Sequence, residues 1–260
     1  MTRLRLIIWI IAAIAIVWVL RAAAQMQSDT HCNGLEIRID YEQGNFFIDK
    51  SDIESMIRQQ MPSGSLNIPV KDINLSHLET YIEQNPYIAN AEAYIDINSK
   101  LWIDIEQHYP IVRIIDSQNL SYYLSKEGKK MPASAEYASR VPVVSGNITD
   151  NGSDIGEPAL PTLKNVFTLA KYIENNQFLK SLIEQIYVAP NGDYVLIPKV
   201  GNHDIVFGSI DDMDEKFNNL YLFYQEALPN VGWNKYKTIN LKFKGQIVAT
   251  KIWAKITYPS

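Results

Sequence analysis

Ala89-Asn90-Ala91-Glu92-Ala93-Tyr94-Ile95-Asp96-Ile97-Asn98, then Ser99-Lys100, then Leu101-Trp102-Ile103-Asp104-Ile105-Glu106, is the stretch whose reading decides the fold. Side chains along a strand point alternately to opposite faces. Ala91, Ala93, Ile95 and Ile97 therefore share one face of the first arm. Leu101, Ile103 and Ile105 share one face of the second, with Trp102, Asp104 and Glu106 on the other. Asn98-Ser99-Lys100 supplies the turn. The pattern predicts a half-buried β-hairpin.

Working upstream, Leu75, Leu78 and Ile82 recur at helical spacing, with Tyr81 alongside, between Asn74 and a stop at Pro86. An earlier helix carries Ile53, Met56, Ile57 and Gln60. Asp49 precedes it, where a carboxylate can take the first free amides, and Pro62-Ser63-Gly64-Ser65 ends it. Residues 66–70 read as a short extended link. Residues 35–41 alternate, with Leu35, Ile37 and Ile39 on one face, and Gly44-Asn45 turns the chain. The order β-α-α-β-β over residues 35–108 predicts two helices on one face of a three-stranded sheet.

Downstream, residues 109–251 predict a second domain, a mostly antiparallel sheet with two or three helices. Strands are expected at 111–115, 120–124, 182–189, 194–197, 204–207, 238–243 and 246–251, and a short extended segment at 141–146. Val166, Phe167, Ala170 and Ile173 predict one helix, and residues 211–228, with Met213, Phe217, Leu220 and Tyr224 inward, predict a longer one. Residues 150–158 read as a loop and 252–260 as a C-terminal tail. Residues 246–251, the last strand, have no later strand to pair with their free edge. They are expected to offer unpaired N–H and C=O groups.

Residues 6–20 contain no charged or polar side chain, a run of 15 that Ala22-Ala23-Ala24 lengthens past Arg21. A lipid core of about 30 Å takes roughly 20 helical residues, and Arg5 and Arg21 can carry their charges to the headgroups. Residues 6–24 are therefore expected to be a transmembrane anchor, residues 1–5 a cytoplasmic tail marked by Arg3 and Arg5, and residues 25–34 a linker. The rival reading is a signal peptide cleaved between Ala24 and Gln25.

Charge and motifs bound the function. The net charge is −5 and no basic block occurs, which excludes a nucleic-acid reading. Cys32 is the single cysteine, so no intramolecular disulfide forms. The four histidines, His31, His77, His108 and His203, are scattered; His31-Cys32 is at most half a metal site. No nucleophile elbow, phosphate loop or His-Glu-x-x-His occurs. Ser125-Lys126 reads as a solvated turn, and the acidic run Asp211-Asp212-Met213-Asp214-Glu215 as charge at a helix start. No cofactor, metal or catalytic residue is expected.

The layout of short tail, single anchor, β-α-α-β-β module and β-rich second domain resembles the bacterial cell-division family FtsQ/DivIB, with its POTRA and β domains. Asn85-Pro86-Tyr87-Ile88-Ala89-Asn90-Ala91 is similar to the family's Pro-Trp-Val-x-x-Ala segment, and residues 101–110 to its Leu-x-Ile-x-Val-x-Glu-x-x-Pro strand. Val141-Pro142-Val143-Val144-Ser145-Gly146 resembles Leu-Pro-x-Leu-x-Gly, and Ile239-Asn240-Leu241-Lys242-Phe243 resembles Val-Asp-Leu-Arg-Tyr. The resemblance implies a non-catalytic scaffold of the bacterial inner membrane, with most of the chain periplasmic and concentrated at the division septum. Its implied partners are FtsB-like and FtsL-like bitopic division proteins. The implied contact segment is Lys242, Phe243, Lys244, Gly245, Gln246, Ile247, Val248 and Ala249, joined in part by strand addition. The alternatives are an anchored periplasmic cell-wall enzyme and a POTRA-bearing transport component.

Overall fold

The computed structural model describes residues 30–41, 44–61, 64, 67–150 and 160–252, with residues 9, 12–18 and 21 of the N-terminal apolar run. The chain divides into two compact units, the break falling between Gln107 and His108. Among the described residues no helix is long and apolar enough to cross a membrane. Residues 12–18 are helical and expose Ile14, Ile16, Val17 and Trp18. The rest of the expected anchor, the tail before it and the Ala24-Gln25 junction lie largely outside the described residues, as do residues 151–159 and 253–260.

The first unit consists of β1 (Gly34–Ile39), α1 (Lys50–Gln60), a 3-10 turn (Val70–Asp72), α2 (Leu75–Ile82), β2 (Ile88–Ile95) and β3 (Lys100–Gln107). The sheet order is β1-β3-β2, with β1 parallel and β2 antiparallel to β3. Asp49 accepts from the amides of Ser51 and Asp52, and Asp52 accepts from Asp49, a reciprocal cap that fixes the start of α1. Asn74 caps α2 through the His77 amide. Ile53, Ile57, Leu78 and Ile82 pack with Ile37, Leu101, Ile103 and Ile105 in one core. The opposite sheet face is polar: Lys100 pairs with Glu36 at 2.6 Å, and Arg38 with Asp104, its Nε at 2.6 Å.

Two local readings are corrected. Ile97, expected beside Ala91, Ala93 and Ile95, is 91% exposed in the hairpin turn. Asp96 starts that turn early, because its Oδ1 accepts from the amides of Asn98 and Lys100. The end of the expected linker is also part of the domain. Cys32 is buried, its amide donates to Ile68 O and its thiol to Gly34 O, while Val70 N donates to Thr30 O.

The second unit runs β4 (Pro110–Ile115), β5 (Ser121–Ser125), β6 (Lys130–Pro132), β7 (Val143–Gly146), α3 (Pro161–Glu174), α4 (Gln177–Leu182), β8 (Ile183–Val188), β9 (Tyr194–Pro198), β10 (Asp204–Gly208), α5 (Met213–Leu222), α6 (Leu228–Val231), β11 (Tyr236–Asn240) and β12 (Val248–Lys251). All nine strands form one sheet, ordered β12-β11-β10-β9-β8-β7-β4-β5-β6. The pairs β4–β7, β7–β8 and β10–β11 are parallel and the others antiparallel. Parallel neighbours need a long crossover. The helices α3–α4 and α5–α6 provide it between β7 and β8 and between β10 and β11.

Where a single helix was expected over 211–228, α5 passes into a π turn over Phe223–Ala227 and then α6. Pro229 has no N–H to return to Gln225, and the Leu228 amide reaches back to Phe223 O instead. Within that turn Tyr224 Oη lies 2.6 Å from Nε2 of His203, a residue only 3% exposed. Burial holds the His203 pKa below its ordinary value, against the pull of Asp204. An unfolded histidine, with a pKa of about 6.5, binds the proton that the folded one refuses. This contribution to stability is therefore full above about pH 6.5 and is lost as the pH falls below it. His203→Gln is expected to reduce the drop in the urea midpoint between about pH 7.5 and about pH 5, measured side by side with the parent.

Candidate interaction edge

The residues singled out in sequence, 242–249, form the connection between β11 and β12 and the first half of β12. The strands are shorter than expected, Tyr236–Asn240 and Val248–Lys251 in place of 238–243 and 246–251, and the turn is wider than Lys244-Gly245. Asn240 causes this: its Oδ1 accepts from the Lys242 amide at 3.0 Å and turns the chain out of the ladder. Leu241 stays buried, its amide donating to Val206 O on β10.

The connection is fastened at two points. Lys242 Nζ reaches Asp193 Oδ2 at 2.6 Å, in the turn before β9. That hydrogen bond and charge hold the Asp193 carboxyl below its ordinary pKa. The stem of Lys242 crosses Gly208, whose φ is +78° and where a Cβ would stand 2.7 Å from Lys242 Cγ, so glycine is needed there. Gly245, at φ +70°, donates its amide to Glu215 Oε1 at 2.8 Å, in the first turn of α5. Beside it Lys216 Nζ donates to Ser209 O, and burial lowers its pKa.

β12 ends the sheet order and pairs with β11 alone. The Ile252 amide donates to Lys235 O. Because amide directions alternate along a strand, Thr250 and Val248 also point at β11, leaving the N–H groups of Ala249 and Lys251 on the outer side. Ile247 and Ala249 pack against the core, whereas Phe243, Val248 and Ile252 are between 43% and 48% exposed. The opposite end of the sheet is β6, three residues ending in Pro132, a short edge of the kind that resists pairing.

The charge along the last stretch of the sequence is of one sign. Residues 227–260 contain six lysines and no Asp or Glu, in a chain whose net charge is −5. This asymmetry was visible in the sequence and marks the edge independently of any strand pattern. Glu215, Asp193 and Gly208, which hold the connection in place, carry no such mark; Glu215 reads only as one charge of an acidic run.

Elsewhere the chemistry is structural. Ser125 is fully buried, not solvated: its Oγ donates to Glu127 Oε2 and accepts from the Lys129 amide, while His108 Nδ1 lies 3.5 Å from Glu127. That group caps the β5–β6 turn. The carboxyl groups of Glu36, Asp49, Asp96, Glu127 and Asp193 are held below their ordinary pKa values, chiefly by hydrogen bonds and neighbouring charge. No cluster of His, Cys, Asp or Glu among the described residues is arranged to hold a metal ion.

A family model described as FtsQ/DivIB, C-terminal related, matches residues 109–250, and one described as a POTRA-like domain matches residues 30–106. The chain belongs to the FtsQ/DivIB family. FtsQ/DivIB proteins are non-catalytic membrane proteins of cell division, and the edge just described closes the FtsQ/DivIB-related domain. No curated protein matches the chain.

Glu215→Ala is expected to leave the sheet folded and to speed amide exchange at Gly245 by about tenfold or more, since a hydrogen bond to a charged group is lost. Exchange followed residue by residue checks it; protection unchanged at Gly245 would mean that Glu215 does not fasten the turn.

Proposed function

We propose that this chain is a scaffold of the bacterial division machinery that accepts a partner strand on the outer edge of β12. In this reading residues 6–24 hold it in the inner membrane, its bulk lies in the periplasm at the septum, and FtsB-like and FtsL-like proteins bind it. By gathering them it helps to position septal peptidoglycan synthesis. The observation that carries the reading is the outward row of backbone groups at Ala249 and Lys251, set in a stretch of sequence, residues 227–260, that holds six lysines and no Asp or Glu.

The physical case has three parts. Backbone hydrogen bonds to an added strand give affinity, and alternate side chains give selectivity. Val248 and Ile252, two half-exposed apolar residues, lie at alternate spacing with Thr250 between them, so the partner strand presents apolar side chains to that face. The lysines Lys235, Lys237, Lys244 and Lys251 call for carboxylates on the partner. The exposed apolar side chains Trp9, Ile14, Ile16, Val17 and Trp18 suit lipid rather than water, which supports the anchor.

The test is a titration of the full chain with the periplasmic segment of an FtsB-like partner. Ala249→Pro removes one outward amide and spares the β11 ladder, so it is expected to weaken binding about tenfold or more with the circular dichroism unchanged. Val248→Pro removes an amide that faces β11 and is expected to lower stability as well. Raising salt from about 0.05 M to about 0.5 M is expected to weaken binding through screening of the lysines. Full binding by the folded Ala249→Pro variant would sink strand addition at this edge.

A further inference from the structure

β2 is an edge strand of eight residues in the first unit, long enough to take a partner, yet two of its outward amides, those of Ala91 and Ala93, are already occupied. The Asp96 amide donates to Lys100 O, so even-numbered residues of this arm face β3 and Ala91, Ala93 and Ile95 face away. Glu79 Oε1 accepts from the Ala93 amide at 2.8 Å, and Glu83 Oε1 accepts from the Ala91 amide at 3.1 Å. Both carboxylates come from α2 and its C-cap.

The spacing explains how one helix serves one strand. Four residues of helix rise about 6 Å, and two residues of strand rise about 6.6 Å. Glu79 and Glu83 thus sit one turn apart beside amides one pleat repeat apart, with helix and strand running in opposite directions. The side chains of Ala89, Ala91 and Ala93 are too small to obstruct an incoming strand themselves.

We infer that Glu79 and Glu83 are an edge guard, which closes β2 against antiparallel pairing with β2 of a second copy of the chain. The two carboxylate oxygens stand where the carbonyl oxygens of that strand would arrive, and their charge repels those oxygens. The occupant is β2 of a second copy because two eight-residue strands can pair with each other over their whole length, whereas β12 and β6 offer only four and three residues. The inference is independent of what binds β12.

The test compares the full chain with Glu79→Ala/Glu83→Ala and Glu79→Gln/Glu83→Gln variants, by mass in solution over a range of concentrations and by amide exchange. The alanine variant is expected to associate, and Ala93→Pro added to it is expected to restore the parental mass. The glutamine variant, whose side-chain oxygens still accept, is expected to keep the parental mass. Exchange at Ala93 in a dilute, unassociated sample of the single Glu79→Ala variant is expected to rise roughly tenfold or more. That single variant also serves if the double variant fails to fold. A folded alanine variant of parental mass at every concentration, or an unchanged Ala93 exchange in Glu79→Ala, would overturn the guard.

Discussion

The backbone of a strand points its N–H and C=O groups both ways, so an open sheet of any size ends in two rows of groups without a strand to bond. Nothing in the core corrects this, because the core is built from side chains. This chain has two open sheets and meets the constraint differently at different edges. β6 is cut to three residues and ended by a proline. The residues leading into β1, Thr30 and Cys32, bond the segment at Ile68 and Val70. β2 is capped by carboxylates from its own helix. β12 keeps its outer row free of any described strand.

An open edge is useful to a partner only if it is held in shape before the partner arrives. Ordering a loop on binding costs free energy that is taken from the affinity. β12 has only four residues and pairs with one neighbour, so alone it would fray. The contacts of its preceding turn offset this. Asp193 holds Lys242, Glu215 holds the Gly245 amide, and the Ile252 amide fixes the far end on Lys235. The two acidic groups come from a turn and a helix start, so the rest of the domain bears on a strand that is itself small.

The first domain was legible almost to the residue, and the second was not, for a physical reason. In residues 35–107 most elements are amphipathic, with one face to the core, so period and face agree with structure. The errors are local and polar: Asp96 begins its turn early, and Cys32 joins the core from a stretch with no periodicity. In the second domain the sequence shows the extended segments apart from β6, but not their order. Parallel pairing of β7 with β8 and of β10 with β11 depends on which neighbours the crossovers choose, and no local pattern records that. α4 is hidden because Leu182 reads as the first residue of the strand expected at 182–189, and a helix of six residues is too short to show a period. At the edge, the segment 242–249 is singled out by its likeness to a family, while the side chains that secure its turn lie 30 and 49 residues away in sequence.

An unguarded edge must still reject the wrong strand, and charge supplies the means. β12 and the stretch of sequence around it, residues 227–260, carry lysines and no Asp or Glu, whereas the chain as a whole is negative. Two copies meeting β12 to β12 would bring lysines against lysines, and edge lysines are a common bar to such pairing. A strand bearing carboxylates meets attraction instead. Specificity then comes from what the edge repels as well as from what it binds. The β2 edge carries the opposite sign, in Glu79, Glu83 and Glu92, and two of those carboxylates also occupy its Ala93 and Ala91 amides. There the same groups exclude a second copy both by repulsion and by occupation.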